Sequence, residues 1–201
     1  MTAPLRHGAV ELRPPRLRDG PAWVEVRLAN QEWLEPWEAT PPATAGVPWR
    51  ERQTVVAWSG SVRLLRRATR RREAAAYVVR TGGRLVGQVS VAPVQRGAVL
   101  SGNVGYWVDH RAAGRGIGTT AVALAADVAF GRLDLHRIEA AVRPENAASR
   151  RLLARLGFRE EGLARRLLLV DGSWRDHVLC ALTREELPHG GVVSRLRHDT
   201  P

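Results

Sequence analysis

GYWVDHRAAGRGIGTTAVAL, residues 105–124, decides the fold. Its start closes the run 101–108, in which Val104, Tyr106 and Val108 share one face of a strand. A loop with glycines at 114, 116 and 118 follows at once. Ile117, Ala121, Leu124 and Val128 then recur at helical spacing. Strand, glycine-rich loop and helix together make an anion site. Glycine permits tight turns and close backbone approach. The first N–H groups of the helix point outward with the positive end of the dipole behind them. A pyrophosphate fits such a place, and Arg111 and Arg115 add charge. The loop is not a P-loop, because no Lys-Ser/Thr pair follows the glycines. A dinucleotide fingerprint would follow the first strand of a βαβ series, whereas four strand-like runs end before this loop. An ordinary glycine-rich connection stays open on these residues alone.

Upstream, residues 10–13 read as a short strand ended by Pro14 and Pro15. Asp19 is placed to cap a helix that carries Pro21 in its first turn and Trp23, Val26, Asn30 and Trp33 at helical spacing. Pro36 stops it. Residues 35–48 form a loop with Trp37 and Glu38. One long helix is expected from about Trp49 to Arg72, with Val55, Trp58, Val62 and Leu65 on its apolar face. Its end, Arg63 to Arg72, is strongly basic. That end is either a solvated terminus favoured by the dipole or a contact for ribosome or RNA, and no aromatic residue interleaves to stack bases. Strands at 75–80 and 85–94 meet at Thr81-Gly82-Gly83.

Downstream come a strand at 136–142, a short helix at 146–156 ended by Gly157, and strands at 163–170 and 173–183 joined by Asp171-Gly172. Residues 188–201 have little to bury and are expected to be a disordered tail. The order β-α-α-β-β-β-α-β-α-β-β describes one mixed α/β domain with a mostly antiparallel sheet.

Composition narrows the chemistry. The 201 residues are 44% hydrophobic and 25% charged, which suits a globular domain. All 31 basic residues are arginine, so no lysine chemistry operates, and the net charge of +11 favours anionic partners. A single cysteine, Cys180, excludes an internal disulfide and a cysteine-clustered metal site. No metal is expected. No apolar run reaches the ~18 residues of a membrane span. The N-terminus has no apolar leader core, so the expected location is cytoplasmic, without membrane contact.

Several motifs together resemble the GNAT N-acetyltransferases. Arg111-Ala112-Ala113-Gly114-Arg115-Gly116 fits that family's coenzyme A signature, Gln/Arg-x-x-Gly-x-Gly/Ala. Asn146 at the end of a strand, a short helix and Gly157-Phe158 complete the pattern. Within the family, LEPWE (34–38), GYWVD (105–109), NAASRRLLARLGFREEG (146–162) and DGSWRDHVLCALT (171–183) are similar to the RimJ/RimL branch, the RimJ type above all. The likeness covers about residues 8–185. It implies a twisted sheet, flanked by about four helices and splayed between strands 101–108 and 136–142.

It implies acetyl-CoA as acetyl donor, with transfer to an amine, foremost the N-terminus of a ribosomal protein. A small-molecule amine is the alternative, and a non-catalytic ribosome- or RNA-binding module with a vestigial pocket is a third. By resemblance, Arg111, Gly114 and the amides of Arg115, Gly116, Ile117, Gly118 and Thr119 hold the pyrophosphate. Trp107 and Val108 flank the pantetheine, and the Val108 N–H is the oxyanion donor. Asn146 bonds the pantetheine, and Arg150 or Arg151 reaches the adenosine phosphate or is simply solvated.

Two family positions depart from the pattern. Residues 97–108 contain no acid to act as base, and Leu153 stands where many relatives carry a tyrosine acid. Ser149 is the substitute acid, or merely a cap of its helix. Glu38, Asp176 and His177 are the remaining base candidates. Asp176 shares a strand face with Trp174, Val178 and Cys180 and suits a structural ion pair, while His177 points oppositely and is expected to face solvent. Trp33, Trp37, Glu38 and Tyr106 are candidates for the acceptor groove.

Overall fold

A computed structural model describes residues 4–199. Its eight strands are β1 (Leu5–His7), β2 (Val10–Arg13), β3 (Ala75–Thr81), β4 (Arg84–Gln95), β5 (Ser101–Val108), β6 (Arg137–Val142), β7 (Arg159–Val170) and β8 (Ser173–Thr183). They form one sheet in the order β1-β2-β3-β4-β5-β6-β8-β7. Every neighbouring pair is antiparallel except β5 with β6. The helices are α1 (Gly20–Leu28), α2 (Gln31–Leu34), α3 (Trp49–Arg52), α4 (Val55–Arg70), α5 (Ile117–Gly131) and α6 (Ala147–Arg155). None is long and apolar enough to cross a membrane.

The hairpins lie where turn chemistry puts them. Thr81 pairs with Arg84 across Gly82 and Gly83, which take φ +54° and +78°. Val170 pairs with Ser173 across Asp171 and Gly172, at φ +46° and +68°. Positive φ at both central residues matches the strand twist. A third hairpin, His7 to Val10 through Gly8 at φ +54°, adds β1, a three-residue strand too short to read from its pattern.

α5 is apolar on nearly every side, and it is buried against one face of the sheet with Leu12, Val79, Val89, Val104 and Ile138. On the other face α1 and α4 lay Val26, Trp58 and Val62 over Val78 and Leu85. These two layers leave the far end of β5 as the place where the sheet can open.

The helical expectations are corrected in three places. The helix after Asp19 stops at Leu28 and resumes at Gln31, because Asn30 turns its side chain back to the Val26 carbonyl (2.8 Å). Asp19 does not cap it. Its carboxylate accepts instead from Arg13 (2.6 Å) and from the Arg16 N–H (2.7 Å). The expected helix from Trp49 to Arg72 is broken between α3 and α4, where Thr54 is extended and its hydroxyl caps Ala57 N–H at 3.0 Å.

The expected disordered tail is also corrected across its described part. Val192 is fully buried. The Asp127 carboxylate of α5 accepts from the N–H groups of Val192 (2.6 Å) and Val193 (3.3 Å). Residues 200 and 201 of that expected tail lie outside the described residues. The sequence signal missed was Asp127 itself, an acid on an otherwise apolar helix, whose burial demands donors.

Candidate active site

β5 and β6 pair only through Ser101, Gly102 and Asn103 against Arg137, Ile138 and Glu139. Beyond that point each strand keeps its other neighbour. β5 stays on β4 as far as Val108 with Gly87, and β6 stays on β8 as far as Val142 with Val178. The sheet splays between them into a cleft of about 1610 Å³. Asp109 N–H donates to Val86 O on β4 at 2.7 Å. Alternation along the strand therefore turns the N–H and C=O of Val108 toward the cleft. Trp33 Nε1 donates to that Val108 carbonyl at 3.1 Å. The Val108 N–H is left as the donor at the cleft wall.

At the end of this edge the glycine loop makes its turn with Gly114 and Gly116 at φ +73° and +74°. The first helical acceptor is Gly116 O, which takes the Thr120 N–H at 2.9 Å. The three amides ahead of it, Ile117 to Thr119, have no helical acceptor. Gly114, Gly116, Gly118 and Thr119 line the cleft. The Ile117 side chain is buried in the core, so only its backbone is available to a ligand. An open strand edge beside uncapped amides fits the extended pantetheine and diphosphate of a coenzyme A. No side chain blocks the loop, since a Cβ at Gly114 or Gly116 would meet nothing within 4 Å.

The arginines divide. Arg151 and, one turn on, Arg155 line the cleft; the sequence reading missed Arg155, although a spacing of four puts it on the face of Arg151. Arg150 turns away to grip Glu160 at 2.7 and 3.0 Å. Arg111 holds Asp109 at 2.9 Å and stays outside the cleft lining, as does Arg115. Burial pushes the Asp109 carboxyl up, but hydrogen bonds from Arg111 and Asn30 outweigh it and hold it below its usual value. Asn30, read from the sequence only as a helix-face residue, also accepts from His110 N–H at 2.8 Å. It fastens the start of the loop to the break between α1 and α2.

Across the cleft, Asn146 Oδ1 caps α6 by accepting Ser149 N–H at 3.0 Å. The cap is therefore Asn146 and not Ser149. The Ser149 hydroxyl is free for another partner and lies 2.7 Å from the Tyr106 phenol oxygen. Leu153 is fully buried and apolar, so no proton comes from that position.

The three base candidates fall in different settings. Asp176 accepts from the Arg166 N–H at 2.8 Å and does not line the cleft. Glu38 lines it, but its Oε2 is taken by Arg27 and by Trp49 Nε1 (3.0 Å). His177 does not face solvent. It is 2% exposed and lines the cleft. Its Nδ1 sits 3.0 Å from Arg175 O, a carbonyl that can only accept, so Nδ1 donates there and Nε2 is the ring nitrogen left for another partner. Trp33 and Trp37 line the cleft, with Arg143 over the Trp37 ring at 5.4 Å.

The family model described as Acetyltransferase (GNAT) domain matches residues 9–159. The chain belongs to the GNAT acetyltransferase family. Mycobacterium smegmatis RimJ, solved in complex with CoA-disulfide, superimposes with a TM-score of 0.89 at 46% identity, over 97% of this chain and 92% of that one. Among curated relatives, the Escherichia coli [Ribosomal protein uS5]-alanine N-acetyltransferase is 39% identical over 106 residues, 53% of this chain and 55% of that protein. The Bacillus subtilis protein named Probable N-acetyltransferase YjcK is 46% identical over 99 residues, 49% of this chain and 55% of that protein. The matched stretch thus spans about half the length of these curated relatives. The GNAT fold accounts for the splayed sheet and for the loop at its mouth.

One pH dependence follows from the site. Burial pushes the Tyr106 phenol up to about 12, and burial also raises Tyr77, the other tyrosine of the chain. The folded value of Tyr106 exceeds the unfolded value of about 10. Its contribution to stability is whole below pH 10 and is lost as the pH climbs through 12. Ultraviolet titration is expected to show almost no tyrosinate at pH 10 in the folded protein and about half ionisation once it is unfolded in guanidinium.

Proposed function

We propose that this GNAT chain transfers the acetyl group of acetyl-CoA directly to an amine, foremost the N-terminal α-amine of a protein. A ribosomal protein is the acceptor suggested by the relatives' names. The observation that carries this reading is the open edge of β5, which adjoins the uncapped amides of α5 in one cleft that Trp33 and Trp37 also line. In it the donor supplies an activated thioester, and the nucleophile is the acceptor's own amine. The Val108 N–H meets the charge that develops on the carbonyl oxygen. The Asn146 Nδ2, free of the helix cap, bonds the pantetheine arm. Arg151 and Arg155 face the adenosine phosphates. Ser149 meets the leaving sulfur, and His177 Nε2 takes the amine's proton.

An α-amine has a pKa of about 7.7–8.0, so roughly a tenth of it is neutral at pH 7, against under roughly a thousandth for lysine at about 10.4. A cleft whose base candidate Glu38 is tied to Arg27 suits the α-amine. The test is release of the CoA thiol with Ala-initiated peptides, the same peptides already N-acetylated, free amino acids and polyamines. The free-amine peptide is expected to turn over and the acetylated one to be inert. Turnover of polyamines or amino acids alone would favour the small-molecule reading, and no thiol release with any acceptor would defeat both. Ser149→Ala is expected to lower kcat about a hundredfold.

Contact with RNA belongs to the same reading. Arg63, Arg66, Arg67, Arg70 and Arg71 are exposed along one face at the end of α4, with no acidic partner among the described residues. Like charges at these spacings repel along a helix. A phosphodiester backbone would relieve that repulsion.

A further inference from the structure

The Tyr106 and Ser149 hydroxyls, 2.7 Å apart, come from opposite sides of the splay, one from β5 and one from the first turn of α6. Either oxygen could donate, and chemistry chooses between them. A phenol is a much stronger acid than an alkyl hydroxyl and a weaker acceptor. The Tyr106 ring packs against the core, and its hydroxyl has no other partner among the described residues. If Ser149 donated to Tyr106, the phenol proton would lose its one protein acceptor. The weaker acceptor and stronger acid of the pair is the phenol, so the arrangement that suits both groups has Tyr106 donating and the Ser149 oxygen accepting. Ser149 N–H is already spent on Asn146. One proton of Ser149 remains, the hydroxyl hydrogen, and with the oxygen accepting from Tyr106 that hydrogen is available to a group in the cleft, which Ser149 lines.

We infer that Tyr106 is a positioning residue that fixes Ser149 as a hydrogen-bond donor toward the sulfur that leaves. The inference rests on the proposed acetyl transfer. As the C–N bond forms and the C–S bond breaks, the electron pair goes to sulfur, and the Ser149 hydroxyl stabilises it by hydrogen bond. The proton shed by the acylated amine balances the one the thiolate takes up from the medium. Tyr106 keeps its own proton throughout, in keeping with a phenol pushed up to about 12 by burial. Leu153, on the same helix as Ser149, has no hydroxyl to offer, so the phenol that orients the serine comes from the neighbouring strand.

The test is a double-mutant cycle on kcat, with the peptide acceptor and acetyl-CoA. Tyr106→Phe keeps the ring and removes only the hydroxyl. It is expected to lower kcat about tenfold with KM for acetyl-CoA unchanged, and calorimetry with acetyl-CoA is expected to give the wild-type affinity. In the Ser149→Ala background the same change is expected to cost nothing further, because the oxygen it acts through is gone. Residues that act independently would instead multiply the two effects, and that result overturns the inference. A mere fastening of β5 to α6 would raise KM for acetyl-CoA and weaken its affinity in Tyr106→Phe, and that result overturns it too. So does wild-type kcat in Tyr106→Phe, or in Ser149→Ala. An active wild type with multiplying effects removes this inference alone. An inert wild type removes the proposed function and the inference with it.

Discussion

Gly116→Trp is expected to leave a folded protein that has lost acetyl-CoA, with affinity reduced at least about a hundredfold by calorimetry and acetyl transfer abolished. Gly116 precedes α5 at φ +74°, lines the cleft, and has open space where a side chain would begin. The indole would project into that space and cover the amides of Ile117 to Thr119. A diphosphate would lose its charge-assisted N–H bonds together with the favourable end of the helix dipole. Two factors of ten correspond to about 2.7 kcal/mol, about the strength of one or two such bonds. The left-handed backbone costs a further ~1–2 kcal/mol of stability, small enough for the domain to remain folded. The melting temperature should therefore fall by only a few degrees while binding disappears. Retained affinity in a well-folded variant would place the diphosphate elsewhere on the molecule and undo the proposed function.

That loop was legible because everything that makes it is local. Glycine spacing, the strand before it and the helical apolar pattern after it all lie within residues 101–128. The hairpins at Gly82-Gly83 and Asp171-Gly172 were legible for the same reason, since turn type follows from adjacent residues. Family resemblance reached Ser149 and Asn146, but it could not distribute their hydrogen bonds. Asn146 rather than Ser149 caps α6 because its carbonyl reaches the N3 amide, which frees the hydroxyl for a partner 43 residues away in sequence. Strand alternation placed His177 opposite Asp176 correctly, and then failed on what lies there. The opposite face of β8 meets the splay, not solvent, and no periodicity announces where a sheet parts. The breaks at Asn30 and Thr54 were hidden by continuous helical spacing on both sides of them. Asn30 answers to a distant partner, Asp109 at 3.2 Å, while Thr54 interrupts the helix by capping the next one locally.

Arg27→Ala is expected to destabilise the fold by about 3–5 kcal/mol in denaturant unfolding. Sequence reading passed over Arg27 as one arginine among 31. In the fold it is 3% exposed, with Trp23, Trp49 and Trp107 around its guanidinium at 5.3, 4.8 and 5.2 Å from the ring centroids. Nε donates to Gln53 Oε1 at 2.9 Å, and Nη2 pairs with Glu38. Burial lowers its pKa and Glu38 raises it in opposition, the first effect being the larger. Alanine opens a cavity among three indoles, strips the buried Gln53 oxygen of its donor and leaves Glu38 with Trp49 alone. Lysine cannot restore both bonds, because one ammonium cannot span the Nε and Nη2 directions, so Arg27→Lys should recover only part of the loss. Glu38→Gln tests the pair from its other end. The arginine is then buried without a counter-charge, and stability should fall even though Glu38 is a third exposed at the cleft. If Glu38 served as a base and not as the anchor of Arg27, Glu38→Gln would lower kcat with no change in the unfolding midpoint. The geometry predicts the reverse order of effects. Stability falls first, and kcat/KM for the peptide follows only as far as the loop carrying Trp37 loses its hold on the mouth of the cleft.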